Sequence, residues 1–337
     1  MGRLGLTLLL GAAVLAALLL TSTVYGTTSI PASDALAGVL LGTGMVEGEM
    51  SPLHRIVFDL RLPRALFAAV IGAGLGIVGV VLQTTTRNDL ADPFLFGLSS
   101  GAAAGAVFVI TVTGDVLGFW TLPLAAFFGG LVASGIVLAL VHGLRTSAPE
   151  KLILAGLAVS FLFSAITNYL IFAGDSRAAH SVIFWMLGGL GLARWETFPL
   201  VCAGLALILA YAMYRSRWLD ALLTGDLTAA TLGVPVQGLR FRMFFVAALA
   251  TAVFVSVAGV IGFVGLMVPH IARGIAGPLH SQLVPTAAIV GAALLTGSDI
   301  LSRLLLAPQE LPVGIVTTSL GSVFVFLLLI RTARPRR

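Results

Sequence analysis

The sequence predicts an all-α membrane protein with about ten transmembrane helices, and its composition is the first reason. Of the 337 residues, 58% are hydrophobic and 10% are charged, whereas a soluble domain carries about 25% charged residues. The apolar runs approach or exceed the roughly 20 residues that a helix needs to cross the hydrocarbon core of a bilayer. They are interrupted mainly by Gly, Ala, Ser and Thr, which membrane helices tolerate. We predict a single transmembrane domain over residues 1–337.

Ten membrane spans are predicted from these runs. The first follows Arg3 and is longer than the apolar region of a signal peptide, and many more spans come after it, so we interpret it as a membrane helix. Glycines four residues apart, at Gly72 and Gly76 and at Gly97, Gly101 and Gly105, predict close helix–helix packing. The predicted spans are residues 4–25, 64–86, 97–113, 121–144, 152–173, 197–214, 241–260, 262–277, 282–303 and 313–330.

The basic residues predict the orientation of the chain. Lys and Arg are enriched in cytoplasmic segments, and placing both termini in the cytoplasm puts roughly two thirds of the 19 basic residues there. These residues form short clusters between apolar spans, so the net charge of +5 indicates topology and not nucleic-acid binding. We predict a multi-pass protein of the bacterial cytoplasmic (inner) membrane, in contact with the lipid bilayer, with both termini cytoplasmic.

Two polar segments are long enough to matter for function. Residues 29–62 are predicted to lie outside and to contain a short helix that Ser33 or Asp34 would cap. Residues 215–240 are predicted to lie in the cytoplasm, and their leucines at helical spacing favour short amphipathic helices. These helices would lie against the membrane surface or against a partner protein.

Several patterns argue against an enzyme. Gly97–Gly101 matches G-x-S-x-G, but it opens a membrane helix and has no paired His and acid, so a serine hydrolase is disfavoured. Cys202 is the only cysteine and is interpreted as a small buried hydrophobe, and no metal site is predicted. Lys151 is the only lysine and lies outside any phosphate-binding motif, so an ATPase that drives transport must be another polypeptide.

Ionisable residues within the spans are few. Asp299 and Arg303 are four residues apart and can pair along one helix face. No chain of Asp, Glu and His crosses the spans as in many ion-coupled transporters, which weighs against a secondary transporter. An ATP-independent secondary transporter or channel nevertheless stays open as the alternative from a different class.

Six strings, taken in order, resemble the FecCD/BtuC family of binding-protein-dependent ABC permeases, which import iron chelates, haem or cobalamin. Together they run from residue 61 to the end, about four fifths of the chain. The strings are Arg61–Arg64; Gln83–Pro93 with Gly97–Ala102; Phe184–Gly189; Leu222–Gly233; Gly259–Arg273; and Asp299–Arg303 with Glu310–Gly314.

The resemblance implies a BtuC-like fold, that of a type II ABC importer, with ten transmembrane helices per subunit. It also implies a second permease subunit, which we expect to be an identical copy, with the translocation path at the dimer interface. Two cytoplasmic ATPase subunits would bind ATP and Mg, and an extracytoplasmic substrate-binding protein would deliver the cargo. No cofactor is expected in this chain.

The resemblance also implies roles for particular residues. Exposed outer-face arginines would dock acidic residues of the binding protein, and a cytoplasmic loop would contact the ATPase. The family usually has Asn-Pro where this chain has Asn88–Asp89, which puts the rigidity of the first gate loop in doubt. The implied sets are Thr224, Gly225, Asp226, Thr228, Ala229, Ala230 and Gly233 for ATPase coupling; Arg61, Arg64 and Arg303 for docking; Asn88, Asp89, Leu90, Thr146 and Ser147 for the gate; and Val159, Ser160, Phe163, Ser164 and Thr167 for the path.

The cargo is left open by the sequence. Iron–siderophore is the first expectation on family frequency, and haem and cobalamin are the alternatives. The segment Phe184–Gly189 looks more like the haem and cobalamin branches of the family.

Overall fold

The computed structural model describes residues 3–26, 30–143 and 149–333, which form α-helices joined by short turns and contain no strand within those ranges. Two π-helical turns, Ile56–Arg61 and Val109–Thr113, continue neighbouring helices. The helices are α1 Arg3–Val24, α2 Ala32–Gly42, α3 Pro52–Arg55, α4 Leu62–Thr86, α5 Leu98–Phe108, α6 Thr121–Gly143, α7 Pro149–Ala173, α8 Ser176–Met186, α9 Phe198–Tyr214, α10 Ser216–Leu222, α11 Asp226–Thr231, α12 Val236–Ala258, α13 Val264–Ala276, α14 His280–Leu304 and α15 Val313–Ala333.

Each of the ten predicted spans corresponds to a helix, and eight helical segments of the described chain are long and apolar enough to cross a membrane. The other two are the shorter α5, with its π turn, and α13. Both begin after a residue with positive φ, Gly97 (φ 76°) and Phe263 (φ 68°). Such irregular backbone is tolerated within a membrane only where protein surrounds it or where it lines a cavity.

Helix α4 lies at the centre of the bundle and contacts α9, α12, α13 and α14. A Cβ added at Gly72 would collide with the backbone carbonyl of Gly291 on α14, and one added at Gly79 would collide with that of Gly265 on α13. A Cβ added at Gly76 would lie 2.8 Å from the carbonyl oxygen of Ala287 on α14. The close packing predicted for Gly72 and Gly76 is therefore confirmed, because the backbones of α13 and α14 approach α4 directly.

The second predicted glycine set divides between two roles. Gly101 and Gly105 face the backbone of α6 at Gly129 and Ala125, as the prediction required. Gly97 instead occupies the left-handed turn that opens α5, next to Val159. The packing prediction is thus correct for Gly101 and Gly105 and wrong for Gly97.

The two polar segments lie at opposite ends of α4. We name the end that carries α10 and α11 the α11 face, and the end at which α4 begins, next to α2 and α3, the α2 face. Helix α2 begins after Pro31 without a side-chain cap, so the predicted cap at Ser33 or Asp34 is wrong: both residues lie within its first turn. On the α11 face, residues from Val236 onward already belong to α12.

The packing of α4 generates a test with a matched control. Replacing Gly79 by Ala should destabilise the protein by about 1–3 kcal/mol, because the added methyl group forces α4 away from α13. Replacing Gly135 by Ala on α6 adds the same group where no atom lies within 4 Å, and it should leave stability unchanged or slightly raised. Thermal unfolding in detergent measures both, and equal midpoints for G79A and G135A would refute the close approach.

Candidate functional site

The α11 face presents a short helix held between two glycines. Helix α11 follows Gly225 (φ 106°), and the chain turns after it at Gly233 (φ 82°), as the sequence predicts for this segment. Ala229 is fully buried beneath the helix, whereas Leu227 is 86% exposed and Leu232 is 66% exposed. The predicted coupling residues Thr224, Gly225, Asp226, Thr228, Ala229, Ala230 and Gly233 therefore form one small surface, from which Ala229 points inward.

Asp226 has a role that the sequence did not indicate. Its side chain does not cap α11; it accepts a hydrogen bond from Arg240 Nη2 at 2.9 Å and lies 3.9 Å from Arg87 Nη1. Arg240 also donates through Nε to the carbonyl of Thr85 at 2.8 Å. A guanidinium can make both bonds at once because its donors form a planar fork. Arg240 therefore links α11 to the last turn of α4.

A second polar link on the α11 face centres on His280, the first residue of α14. His280 Nδ1 lies 2.7 Å from Asp220 Oδ1 on α10, and its Nε2 lies 2.9 Å from Thr84 Oγ1 on α4. The backbone N–H of His280 also donates to Asp220 Oδ1 at 2.8 Å. His280 is fully buried. Sequence reasoning missed this contact because Asp220 and Thr84 are 60 and 196 residues away along the chain.

The predicted gate loop follows α4 directly. α4 ends at Arg87, which has a positive φ of 52°, and the Asn88 side chain accepts the N–H of Leu90 at 2.9 Å. Asp89 is ion-paired with Arg273 of α13 at 3.1 Å. These contacts hold the loop although it lacks the usual Asn-Pro pair. The other predicted gate residues, Thr146 and Ser147, lie outside the described residues.

Asp92, just beyond the gate loop, is a buried carboxylate. Burial raises its pKa to about 6, and the hydrogen bond that Oδ1 accepts from the N–H of Phe94 at 2.9 Å opposes this shift only in part. Its Oδ2 atom has no hydrogen-bond partner in the described part of the chain. An ionised Asp92 is therefore poorly compensated.

A cavity of about 540 Å³ lies next to Asp92. It is in the size range of small-molecule sites, which are mostly apolar with a few polar groups. Its walls come from the end of α8, the α12–α13 connection and the start of α15. They include Met186, Leu187, Val260, Phe263, Ile315 and Thr318.

The predicted path residues on α7 lie elsewhere. Val159 and Thr167 are buried against other helices of the same subunit, so they do not line an open path in this conformation. Phe163 is partly buried against the core, Ser160 is half-buried and Ser164 is exposed. Every fourth residue of α7 turns toward the core, and the path role of these five residues stays a prediction.

On the α2 face, the three predicted docking arginines form one polar cluster. Arg64 bonds Asp299 at 2.8 Å and Glu310 at 2.6 Å, and Arg303 lies 3.1 Å from Asp299. The predicted pair of Asp299 and Arg303 is therefore confirmed. Arg61 donates to the carbonyls of α1 at Thr23 and Val24, and Arg303 donates to those of Ser22 and Tyr25.

The exposure that the docking prediction assumed is wrong for two of the arginines. Arg61 is 7% exposed and Arg303 is 3% exposed, and both satisfy the carbonyl groups that the end of α1 leaves free. Arg64 keeps 13% of its side chain exposed next to the more exposed Glu310. A docking role for the three arginines stays a prediction. Within the described ranges, no cluster of His, Cys, Asp and Glu is arranged to hold a metal ion.

These features define the class of protein as a polytopic α-helical membrane protein. The sequence profile of the FecCD transport family matches residues 14–331, and the chain belongs to this family. It is therefore a permease subunit of an ABC importer, a transporter component whose ATPase is a separate subunit.

Two curated relatives and one solved structure support the assignment. The cobalamin import permease BtuC of Halobacterium salinarum is 41% identical over 285 residues, 83% of this chain and 74% of the relative. The hemin transport permease HmuU of Yersinia pestis is 36% identical over 290 residues, 84% and 86% of the two chains. A metal-chelate type ABC transporter in an inward-facing conformation superposes with a TM-score of 0.82 and 29% identity, covering 96% and 99% of the two chains.

The environment of Asp92 predicts how stability depends on pH. Because its folded-state pKa of about 6 lies above the ordinary value of 3.8, the folded protein binds the proton more tightly than the unfolded chain. The free energy of unfolding therefore falls as pH rises from about 4 to 6, by up to about 3 kcal/mol, and stays lower above pH 6.

Replacing Asp92 by Asn keeps the acceptor for Phe94 and removes the charge, so this part of the pH dependence should disappear. The measurement compares thermal unfolding midpoints at pH 5 and pH 7.5. D115N, at an exposed position, is the control and should behave as the wild type. A D92N variant with the wild-type pH dependence would contradict the assignment.

Proposed function

We propose that this chain is the transmembrane subunit of a binding-protein-dependent importer that moves a bulky metal chelate into the cytoplasm. The observation that carries the proposal is the α11 face, where a short helix held between glycines exposes Leu227 and Leu232 at the end of a membrane bundle. Exposed apolar side chains on a polar face are typical of a protein–protein contact. The partner is proposed to be the ATPase subunit.

We infer that the ATPase is a different polypeptide, because the sequence lacks the lysine-containing phosphate-binding loop with which P-loop ATPases bind ATP. A phosphate-binding loop needs a lysine after its glycines, and the only lysine here is Lys151, at the start of α7. Two ATPase subunits, carrying ATP and Mg, would therefore contact two copies of this chain. The exposed apolar surfaces of α7 and α15, only 22% and 28% buried, leave room for a second copy as well as for lipid.

The cargo proposed is a metal-centred tetrapyrrole such as cobalamin or haem. Relatives with 41% and 36% identity are named for cobalamin and hemin, and the cavity of about 540 Å³ has mainly apolar walls. An iron–siderophore, the first expectation from the sequence, is the alternative outcome of the experiment.

The experiment reconstitutes the chain with the ATPase and binding protein encoded beside it and measures uptake of cyanocobalamin, haemin and a ferric siderophore. We expect uptake of cyanocobalamin or haemin that depends on ATP hydrolysis and on the binding protein. Uptake of the ferric siderophore alone would contradict the proposed cargo but would leave the proposal of an ABC importer intact. Uptake that continues without ATP would identify a secondary transporter and overturn the proposal.

The α11 face allows a sharper test of the ATPase contact. Leu227→Asp places a charge where an apolar side chain should be buried, so association with the ATPase subunit should weaken by about tenfold or more. Met45→Asp makes the same kind of change at a 76% exposed residue of the α2 face and should leave association unchanged. Titration of labelled ATPase subunit into nanodiscs measures both. Equal affinities for L227D and wild type would refute the contact.

A further inference from the structure

The last turn of α4, Thr84–Thr86, is buried and receives both polar links from the α11 face. The first link runs from Asp220 on α10 through His280 to Thr84, with contacts of 2.7 and 2.9 Å. The second runs from Asp226 on α11 through Arg240 to the carbonyl of Thr85, with contacts of 2.9 and 2.8 Å. Each short helix of the α11 face is therefore tied to the same turn of α4.

The proton position on His280 Nδ1 follows from the carboxylate of Asp220, at the end of the first link. A carboxylate can only accept, so Nδ1–H of His280 donates to Asp220. When the ring carries no second proton, Nε2 accepts the hydroxyl proton of Thr84. Asp220 Oδ1 also accepts the backbone N–H of His280 at 2.8 Å, which fixes the start of α14. These hydrogen bonds are directional, so they favour one arrangement of α4, α10 and α14. Apolar side chains in the same positions would not impose these distances.

A hydroxyl, an imidazole and a carboxylate in series are also the components of a nucleophilic triad. Catalysis requires that the hydroxyl reach a substrate, but Thr84 is 5% exposed and His280 is fully buried. Neither residue lines the cavity next to Asp92. The arrangement therefore holds helices together and does not react with a substrate.

The gate loop begins directly after this turn. The N–H of Asn88 bonds the carbonyl of Gln83 at 3.1 Å, and Asp89 pairs with Arg273 on α13. Any displacement of the turn thus moves the loop at Asn88–Leu90 as well. The second link reaches the same turn through Arg240, a side chain of α12, so both links end directly before the gate loop.

We propose that Thr84, His280 and Asp220 are positioning residues that transmit displacement of α10, which packs against α11, to the loop at Asn88–Leu90. The inference rests on the proposed function, because the displacement is produced by the ATPase subunits. It adds to that function the particular side chains through which an ATP-driven movement on the α11 face reaches the gate loop.

The test uses one cysteine in the gate loop and needs no cargo. Leu90, which is 51% exposed, is replaced by Cys in a chain whose single native cysteine carries C202S. The complex with its ATPase subunits is labelled with a water-soluble maleimide, without nucleotide and with ATP plus vanadate. The ratio of the two labelling rates reports movement of the loop.

The chain that carries only L90C and C202S should show two labelling rates that differ by about fivefold or more, which is a usual size of coupling between two sites. T84V and D220A each remove one contact of the link, so each should lower the ratio by about twofold or more while the nucleotide-free rate stays the same. T86V is the matched control, because Thr86 is equally buried on the same turn, but among the described residues its hydroxyl bonds only the carbonyl of Leu82 in its own helix. T86V should keep the full ratio.

The double variant T84V/D220A adds a second readout. Residues of one link should not act independently, so the double variant should be no more impaired than the stronger single variant. A full ratio in T84V, or effects of T84V and D220A that multiply, would overturn the proposal. A raised nucleotide-free rate with a retained ratio would indicate a purely structural role and would also overturn it. An ATPase that fails to bind the chain that carries only L90C and C202S would instead contradict the proposed function.

Discussion

The structure depends on the close packing of α4 against the backbones of α13 and α14. The helix can sit at the centre of the bundle only because Gly72, Gly76 and Gly79 place no side chain between the backbones. Without a hydrophobic force between helices in lipid, such packing and interhelical polar contacts supply the attraction. The polar contacts occur at the two ends of α4, with Arg64 and Asp299 at one end and Thr84 and His280 at the other.

This arrangement separates a tightly packed centre from a loosely packed periphery. The central helices α4 and α12 are largely buried by the protein itself. In their most apolar stretches 83% and 72% of the residues are buried, whereas in α1 only 11% are. Helix α1 is held at its end by Arg61 and Arg303, which bond its free carbonyl groups. The periphery can therefore meet lipid or a second subunit, while movement at the α11 face acts on the centre through α4.

Much of the fold could be predicted because span length and glycine spacing are local signals. The turn glycines around α11 were visible for the same reason. The environment of the arginines could not be predicted, because the carbonyl groups that bury Arg303 belong to α1, about 280 residues away along the chain. The contacts of His280 were hidden for the same reason. The burial of Val159 and Thr167 on α7 could not be predicted, since the spacing of the sequence did not reveal which face of α7 turns toward the core.

The central claim is that the α11 face receives the ATPase and passes its movement to the end of α4. Amide hydrogen exchange of the chain with and without its ATPase subunits tests it most directly. The account predicts slower exchange in residues 216–232 when the ATPase binds, and a further change in residues 88–91 when ATP is added. ATPase binding that leaves exchange in residues 216–232 unchanged and slows it elsewhere would contradict the account.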